Sequence, residues 1–479
     1  MKQTPDCAFV IFGITGDLAA RKLLPALYQL CLKGRIHPKT EIVGYARSDL
    51  TRDALRNRLT ESLRNFEPDF DEKVWSSLVD RIHYVQGDYE HESGFESLRN
   101  FLDSLGLQNR IFYTATPPDT YEGIALGIAG AGLNHSSGFT RLIVEKPFGS
   151  DLGSAQRLNA SILKNFKEDQ IYRIDHYLAK ETAQNLAVLR FANTLLEPIW
   201  SNKYIDNIQI TMAEPMGMEG RGSFYEQTGV IRDVIQNHLL QLVALIAMEP
   251  PLDYNAMNVR NEKVKVFDAI KDIGPDKAIL GQYSASGEMI GYRAEDGVSP
   301  HSHQATFAAI RLDILNSRWS GVPFFIRSGK RLEAKFTQIV IALKAAQKIP
   351  FAQTSALESD RIVLRLGPNE GIALQLNSKI PGQGMNLNRI NLNFSYDSNI
   401  DHPIPDAYET LLCDALMGDA TLFVRADEVE GQWRIIGPLI KHVDLSPEEP
   451  HFYPAGTQGP KAADMFLEAQ DRQWHPAEN

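Results

Sequence analysis

The stretch FVIFGITGDLAARKLLPALYQLCL at residues 9–32 constrains the fold most. Phe9–Phe12 is a short apolar run that predicts a buried strand, Gly13 and Gly16 follow it, and leucines then recur at helical spacing. A strand, a glycine turn and a helix N-terminus in this order form a cradle for phosphate, because glycine lets the backbone come close and the first helical N–H groups favour negative charge. The glycine spacing is not G-x-G-x-x-G, so a tight turn before a packing helix is the alternative.

The length of the chain bounds the number of domains, and its net charge bears on the class of ligand. A chain of 479 residues predicts two to three domains. Its formal net charge of −11 argues against a nucleic-acid binder, which usually carries a basic face. An anionic substrate would therefore have to be bound by local basic groups.

Cysteine usage and hydropathy indicate a cytoplasmic protein. Cys7, Cys31 and Cys413 are scattered without a C-x-x-C pair, which excludes a disulfide framework and a cysteine metal site of ordinary spacing. We expect reduced thiols. No apolar run approaches membrane-spanning length, and the N-terminus lacks the pattern of a signal peptide, so we expect no membrane association.

Strands and helices alternate in the first half of the chain. The predicted strands are 41–48, 82–85, 110–115 and 141–144, and the predicted helices are 51–80 and 92–105. This alternation predicts a parallel sheet covered on both faces. Pro117 and Pro118 end a strand at the carboxyl edge of the sheet, where ligands bind in such folds.

The pattern changes near residue 190. Strand-like segments then follow one another without a helix between each pair, at 207–213, 306–314, 338–343, 361–366 and 387–394. Such runs favour an α+β domain on a largely antiparallel sheet. We therefore predict two domains, 1–180 and 181–479.

The end of the second strand bears on cofactor choice. An acidic residue there would bind a ribose 2′-hydroxyl and favour NAD, whereas an arginine accommodates a 2′-phosphate. This chain has Arg47 and Ser48, which favours NADP. An exposed arginine in a loop is the alternative.

Three segments concentrate ionisable side chains. Lys146 follows a strand and precedes a proline, the block 171–181 contains His176, Tyr177 and Lys180, and a basic turn follows the strand 324–327. A helix start carrying such groups suits a dianionic phosphate. The alternatives are a surface lysine, a solvated helix cap and a solubilising turn.

A long apolar helix is predicted over 229–248. Asp233 and His238 lie off its apolar stripe. A half-buried imidazole beside a carboxylate is a typical general base, but a buried core histidine is the more common case.

Together these segments resemble the glucose-6-phosphate dehydrogenase family along almost the whole chain. The most specific motifs are RIDHYLAKE at 173–181 and GVIRDVIQNHLLQL at 229–242. Less specific are the glycine turn and EKPFG at 145–149, since other sugar oxidoreductases also carry EKP. The resemblance implies an α/β N-terminal Rossmann-type dinucleotide-binding domain plus an α+β C-terminal domain with a large, mainly antiparallel sheet.

The resemblance also implies the reaction. D-Glucose 6-phosphate is oxidised at C1 to 6-phospho-D-glucono-1,5-lactone, with hydride transfer to NADP and NAD as a weaker alternative. This is the first oxidative step of the pentose phosphate pathway. The family implies a homodimer or homotetramer, and the reaction needs no metal.

Roles carry over residue by residue. His238 is implied as the general base, with Asp175 orienting its imidazole. The implied substrate-binding residues are His176, Tyr177, Lys180, Glu214, Asp233, Lys330 and Lys335. The implied cofactor-binding residues are Gly13, Thr15, Gly16, Asp17, Leu18, Arg47, Ser48, Asp88 and Lys146. Lys22 is a further candidate from the first helix.

Two other functions remain as alternatives. A different NADP-linked sugar oxidoreductase would need no phosphate pocket and would accept free glucose as well as its phosphate. A non-catalytic NADP-binding sensor would bind the cofactor without sugar-dependent reduction.

Overall fold

The fold is taken from a computed structural model, which describes residues 3–67, 70–346, 358–382, 385–396, 404–445 and 448–477. The strands are β1 (Ala8–Phe12), β2 (Glu41–Ala46), β3 (Ile82–Gln86), β4 (Arg110–Thr114), β5 (Thr140–Val144), β6 (Ile171–Ile174), β7 (Ile205–Ala213), β8 (Ala278–Ser284), β9 (Phe307–Asp313), β10 (Pro323–Gly329), β11 (Phe336–Leu343), β12 (Arg361–Gly367), β13 (Gly371–Lys379), β14 (Leu387–Ser395), β15 (Phe423–Val424) and β16 (His451–Pro454).

The α-helices are α1 (Leu24–Leu32), α2 (Arg52–Phe66), α3 (Glu72–Val79), α4 (Glu92–Leu105), α5 (Tyr121–Gly130), α6 (Leu152–Leu163), α7 (Glu181–Phe191), α8 (Gly222–Val230), α9 (Leu240–Ala247), α10 (Ala256–Ala269), α11 (Ala407–Met417), α12 (Ala426–Leu445) and α13 (Lys461–Glu468). Two π-helical segments, Ala19–Leu23 and Ile231–Leu239, lead directly into α1 and α9.

The chain forms two compact units. The first comprises Met1–Ala179, Pro251–Arg260 and Pro405–Glu430, and the second comprises Lys180–Pro250, Asn261–Ile404 and Gly431–Asn479. Two segments from the second half of the chain thus pack with the first unit. The continuous domains 1–180 and 181–479 stay a prediction.

The first unit is built on a 7-stranded sheet in the order β15-β6-β5-β4-β1-β2-β3. All neighbours pair in parallel except β15, which is antiparallel to β6. The central strand β1 is buried over its whole length, as the run Phe9–Phe12 predicts. The strand order reverses between β1 and β4, so the carboxyl ends of these two strands form the crevice in which ligands bind in such sheets.

The second unit is built on a 9-stranded sheet in the order β14-β13-β12-β11-β7-β10-β9-β8-β16. Its pairs are antiparallel apart from β7 with β10 and β8 with β16. The α/β unit followed by a mainly antiparallel sheet confirms the predicted fold class.

The predicted helix 51–80 is two helices. The carboxylate of Asp71 accepts hydrogen bonds from the N–H groups of Lys73 and Val74 and so caps α3 as a separate helix. The three leucines of α2, Leu55, Leu59 and Leu63, are buried one turn apart, as their spacing predicts. The spacing of the leucines correctly predicted the buried face of α2, whereas the break between α2 and α3 depends on the single capping side chain of Asp71.

The predicted helix 229–248 also differs from a regular α-helix. Gly229 has a non-helical backbone with φ 55° and ψ 179°, and Ile231–Leu239 is π-helical before α9 begins. In the described residues, Gly222–Ala247 is long and apolar enough by length and composition to cross a membrane, contrary to the prediction that no apolar run has that length. However, 83% of its most apolar window is buried, so the segment matches a core helix.

Candidate functional site

The glycine turn after β1 closes tightly against the end of β4. Gly13 has φ +79°, and a Cβ atom there would lie 2.3 Å from the carbonyl oxygen of Ala115. The N–H of Gly13 donates to the carbonyl of Tyr45 at 2.8 Å, and the N–H of Gly16 donates to that of Gly13 at 2.9 Å. Glycine is thus required at position 13 both by backbone conformation and by space.

The rest of the turn leads into the first helix. Thr15, Gly16 and Leu18 are half-buried, and Asp17 is exposed and pairs with Arg21 at 2.6 Å. Ile14 is buried and packs against Gly44 of β2, where a Cβ atom would lie 2.7 Å from its side chain. The Ile14 side chain therefore packs against β2, and the backbone of the turn lies at the carboxyl end of β1.

The residues expected near the adenosine lie together at the ends of β2 and β3. The Arg47 guanidinium lies 6.0 Å from the centre of the Tyr89 ring. The backbone carbonyl of Ser48 accepts a hydrogen bond from the Tyr84 hydroxyl at 2.5 Å, and that of Asp88 accepts one from the Tyr45 hydroxyl at 2.8 Å. Arg47 is exposed, so its positive charge is available to an anion.

The EKP segment follows β5. Lys146 is half-buried, whereas the neighbouring Glu145 is buried with 7% of its surface exposed. The Tyr113 hydroxyl donates to Glu145 Oε1 at 2.5 Å, and Tyr408 of α11 forms a second side-chain hydrogen bond to this carboxylate. Burial raises the pKa of Glu145 despite these hydrogen bonds and the nearby charge of Lys146.

The ionisable block 171–181 begins as β6, which ends one residue before Asp175. The buried Asp175 accepts a hydrogen bond from the backbone N–H of Tyr177 at 3.0 Å, which shapes the turn after the strand. The His176 ring lies 5.0 Å from that of Tyr177 and stacks on that of Tyr408 at 6.4 Å. His176 and Tyr177 thus leave the carboxyl end of a strand in the first unit.

In the second unit, two predicted sugar-binding residues form an ion pair. Glu214 follows β7 and Lys330 follows β10, and their side chains are in direct contact. The Lys330 ammonium also lies 5.7 Å from the centre of the buried Tyr225 ring. Burial, followed by the nearby charge of Asp233, raises the pKa of Tyr225 well above its ordinary value, so this hydroxyl stays protonated.

The remaining predicted residues of this unit are placed as follows. His238 lies in the π-helical segment with 3% of its surface exposed, and Asp233 is half-buried in the same segment. The Lys180 ammonium donates to the carbonyl of Leu366 at 3.0 Å, and Lys335 is exposed. The burial of His238 is what both the general base and the core histidine would show.

No role was predicted for Glu145, Tyr113, Tyr225 or Tyr408. Tyr408 is more than two hundred residues from the strands whose ends it joins, so no local pattern connects it to them. A signal was present for Glu145, because it lies in the EKPFG motif.

Known proteins resemble this chain over its full length. Residues 10–185 match the family model "Glucose-6-phosphate dehydrogenase, NAD binding domain", and residues 187–475 match "Glucose-6-phosphate dehydrogenase, C-terminal domain". The glucose-6-phosphate 1-dehydrogenase of Chlamydia muridarum is 41% identical, over 98% of this chain and 97% of the relative. That of Mycolicibacterium smegmatis is 41% identical, over 99% of each.

Solved structures show the same similarity. A glucose-6-phosphate dehydrogenase in complex with its substrate glucose-6-phosphate superposes with a TM-score of 0.93 at 35% identity, over 99% of this chain and 100% of the other. The Mycobacterium avium enzyme gives a TM-score of 0.88 at 36% identity, with the same coverage. Family models match both halves of the chain and the relatives align over nearly its full length, so the chain belongs to the glucose-6-phosphate dehydrogenase family.

Proposed function

We propose that this chain oxidises D-glucose 6-phosphate at C1 with NADP as the preferred hydride acceptor and His238 as the general base. The oxidation itself follows from family membership, and its product is 6-phospho-D-glucono-1,5-lactone. The observation that carries this conclusion is the full-length match to enzymes of that name. A nicotinamide dinucleotide is the cofactor, as the matching N-terminal family model states.

The preference for NADP rests on the end of β2. Arg47 is exposed there beside Ser48, and the nearest following carboxylate in sequence is Asp49. A guanidinium forms strong charge-assisted hydrogen bonds to a phosphate. We therefore assign the 2′-phosphate of NADP to Arg47 and Ser48, and the adenosine to the neighbourhood of Asp88.

The glycine turn fits the pyrophosphate of a dinucleotide. A Cβ atom at Gly13 would collide with the backbone of Ala115, so the chain is close-packed there and glycine keeps the turn open. We assign the pyrophosphate to Gly13, Thr15, Gly16, Asp17 and Leu18. NADP, when bound, supplies the carbon that accepts the hydride.

The sugar is held by its phosphate and by its hydroxyls. We assign the phosphate to His176, Tyr177, Lys180 and Lys335, because imidazole, phenol and ammonium groups can donate hydrogen bonds to a dianion. The Glu214–Lys330 ion pair presents both an acceptor and a donor, as binding sugar hydroxyls requires, and Asp233 adds a second carboxylate. We place Lys146 between the sugar and the nicotinamide.

Proton transfer is assigned to His238. A neutral imidazole takes the proton of the C1 hydroxyl as the hydride leaves, and we assign to Asp175 the role of orienting this ring and stabilising the imidazolium. Support comes from the family match, which covers Asp175 in its N-terminal model and His238 in its C-terminal model.

Initial rates with glucose 6-phosphate would test these assignments, with NADP and NAD measured in parallel on the wild type and on His238→Asn. We expect kcat to fall about 10²- to 10⁴-fold in the variant with substrate binding retained. His301→Asn is the matched control, because the same substitution at this exposed histidine should leave kcat unchanged.

The other outcomes discriminate among the alternatives. Full activity in His238→Asn would leave the reaction standing and remove His238 from it. Equal efficiency on free glucose would favour a sugar oxidoreductase without a phosphate pocket. Binding of NADP without sugar-dependent reduction would favour a sensor.

We further propose a cytoplasmic homodimer or homotetramer, as the family resemblance implies. Light scattering of the purified chain measures the oligomeric state, and a monomer at micromolar concentration would contradict it. Cell fractionation tests the location.

A further inference from the structure

Glu145 is a buried carboxylate at the carboxyl end of β5, in the first unit. A charge in this position is costly unless it receives charge-assisted hydrogen bonds. Two tyrosines from distant parts of the chain supply them: Tyr113 of β4 at 2.5 Å, and Tyr408 of α11. The carboxylate therefore joins two strand ends to a helix from the second half of the sequence.

Tyr408 connects this carboxylate to two basic groups. Its ring stacks on the His176 ring at 6.4 Å, with 16° between the ring planes. The Lys22 ammonium lies 5.9 Å from the centre of the same ring. Tyr408 is thus held by Glu145 at its hydroxyl while its ring faces an imidazole and an ammonium.

The backbone around Tyr408 is fixed as well. Asp406 caps α11 by accepting a hydrogen bond from the N–H of Tyr408 at 2.9 Å, and it also forms an ion pair with Lys22 at 3.2 Å. Beyond this cap and its packing in the core of the unit, Tyr408 is held at its hydroxyl by the hydrogen bond to Glu145. A conservative substitution such as Tyr408→Phe can remove this hydrogen bond and keep the ring.

We propose that Glu145 is a positioning residue for the sugar-phosphate site, acting through Tyr408 on His176 and Lys22. By accepting the hydrogen bond from Tyr408, Glu145 fixes the ring against which the imidazole stacks, and so fixes the donors that face the phosphate. This inference rests on the proposed function, in which His176 binds the phosphate. Small displacements of binding groups weaken binding strongly, so loss of this link weakens phosphate binding.

A merely structural role would give a different result. If Glu145 only stabilised the end of β5, its loss would lower activity on every substrate alike. A positioning role toward the phosphate affects glucose 6-phosphate and leaves free glucose unaffected. The ratio of kcat/KM for glucose 6-phosphate to that for free glucose is therefore the informative quantity.

The experiment compares Glu145→Gln and Tyr408→Phe with Tyr113→Phe. In Glu145→Gln the amide nitrogen can no longer accept a second hydrogen bond, and Tyr408→Phe keeps the ring but removes the donor. We expect both to raise KM for glucose 6-phosphate about tenfold, the effect of losing one hydrogen bond to a charged group, and to leave kcat/KM for free glucose unchanged. Tyr113→Phe is the matched control, because it removes a hydrogen bond to the same carboxylate without touching His176, and it should preserve the ratio.

The double variant sharpens the test. If Glu145 acts through Tyr408, Glu145→Gln combined with Tyr408→Phe should raise KM no further than either change alone. An unchanged ratio in Tyr408→Phe, or an equal loss on both sugars, would overturn the proposal. Tyr408→Phe leaves the Glu145 carboxyl in place with its hydrogen bond from Tyr113, so it tests the link even where Glu145→Gln fails to fold.

The same measurements distinguish failure of the proposed function from failure of the proposed role of Glu145. A wild type without glucose 6-phosphate-dependent reduction would contradict the function. An active wild type whose substrate ratio does not respond to Tyr408→Phe would contradict only the role of Glu145.

Discussion

Lys330 and Glu214 form an ion pair because they follow two parallel strands at the same level. Ala213 of β7 is paired with Gly329 of β10, so the next residue of each strand lies beside its counterpart. Lys330 is buried, with 11% of its side chain exposed, and Glu214 is half-buried. Register alone thus brings an acceptor and a donor to one sheet edge although they are more than a hundred residues apart in sequence.

Replacing Lys330 with Met should weaken substrate binding and stability together. The variant leaves Glu214 half-buried without its cation, and it removes a donor assigned to a sugar hydroxyl. We expect KM for glucose 6-phosphate to rise about tenfold or more, and the free energy of unfolding to fall by about 1–3 kcal/mol. Steady-state kinetics and urea unfolding measure the two quantities.

Lys277→Met is the matched control for this change. Lys277 also belongs to the second unit and pairs with Asp313 at 2.8 Å, with 25% of each side chain exposed. Its loss should cost some stability without changing KM. A Lys330→Met enzyme with normal KM would remove Lys330 from the substrate site.

Gly13→Ala should impair dinucleotide binding. The substitution places a Cβ atom 2.3 Å from the Ala115 carbonyl oxygen and forces a non-glycine residue to a φ of +79°. The turn must shift to relieve this contact, so we expect KM for NADP to rise about tenfold or more while KM for glucose 6-phosphate stays the same.

Gly34→Ala separates backbone strain from steric collision. Gly34 also has a positive φ, +63°, but an added Cβ atom would meet nothing within 4 Å. We expect Gly34→Ala to lower the free energy of unfolding by about 1–2 kcal/mol through backbone conformation alone, with no change in KM for NADP. Equal KM values in the two variants would show that the close approach at Gly13 does not shape the dinucleotide site.

Much of the first unit was predictable because its signals are local. The strand and turn at 9–18, the leucines of α2 and the alternation of strands and helices each follow from short-range patterns. The break between α2 and α3 was missed, since it depends on one capping carboxylate within an otherwise helical pattern.

The rest of the site depends on long-range packing, which sequence patterns do not encode. Tyr408 meets Glu145 only because α11 joins the first unit from the second half of the chain. Likewise, the π-helical geometry around His238 cannot be read from apolar spacing, which fitted a regular helix. The residue roles came from the family resemblance, and all of them stay predictions.

Arg47→Ala should reduce the preference for NADP over NAD. An arginine that binds a 2′-phosphate contributes a charge-assisted hydrogen bond of about 1.5–3 kcal/mol, so KM for NADP should rise about 10- to 100-fold. KM for NAD, which lacks that phosphate, should change little. Kinetics with both dinucleotides measure the ratio.

Arg99→Ala controls for the loss of a positive charge in general. Arg99 is exposed on α4 of the same unit and belongs to no proposed site. In Arg99→Ala the ratio of KM for NADP to KM for NAD should stay as in the wild type. If Arg47→Ala raises both KM values equally, the arginine acts on the shared part of the dinucleotide and another residue reads the 2′-phosphate.

His475 is held neutral in the second unit. Its backbone N–H donates to Gln209 Oε1 at 3.0 Å, and its carbonyl accepts from Gln338 at 3.3 Å. Burial, together with the charges of Arg361, Arg389 and Arg327, lowers the pKa of this imidazole to about 3. The ordinary value is about 6.5, so the unfolded chain binds a proton here at mildly acidic pH and the folded chain does not.

Stability should therefore fall as the pH drops below about 6.5, and a neutral side chain at position 475 should reduce this loss. Because the unfolded state binds more protons there, linkage gives at most about 2 kcal/mol of destabilisation at about pH 5, and less where solvent screens the partly exposed ring. In His475→Gln the urea midpoint should depend less steeply on pH between about 7.5 and 5 than in the wild type, whereas His301→Gln, an exposed control, should keep the wild-type slope. Identical slopes in His475→Gln and the wild type would show that this imidazole is not protonated on unfolding in that range.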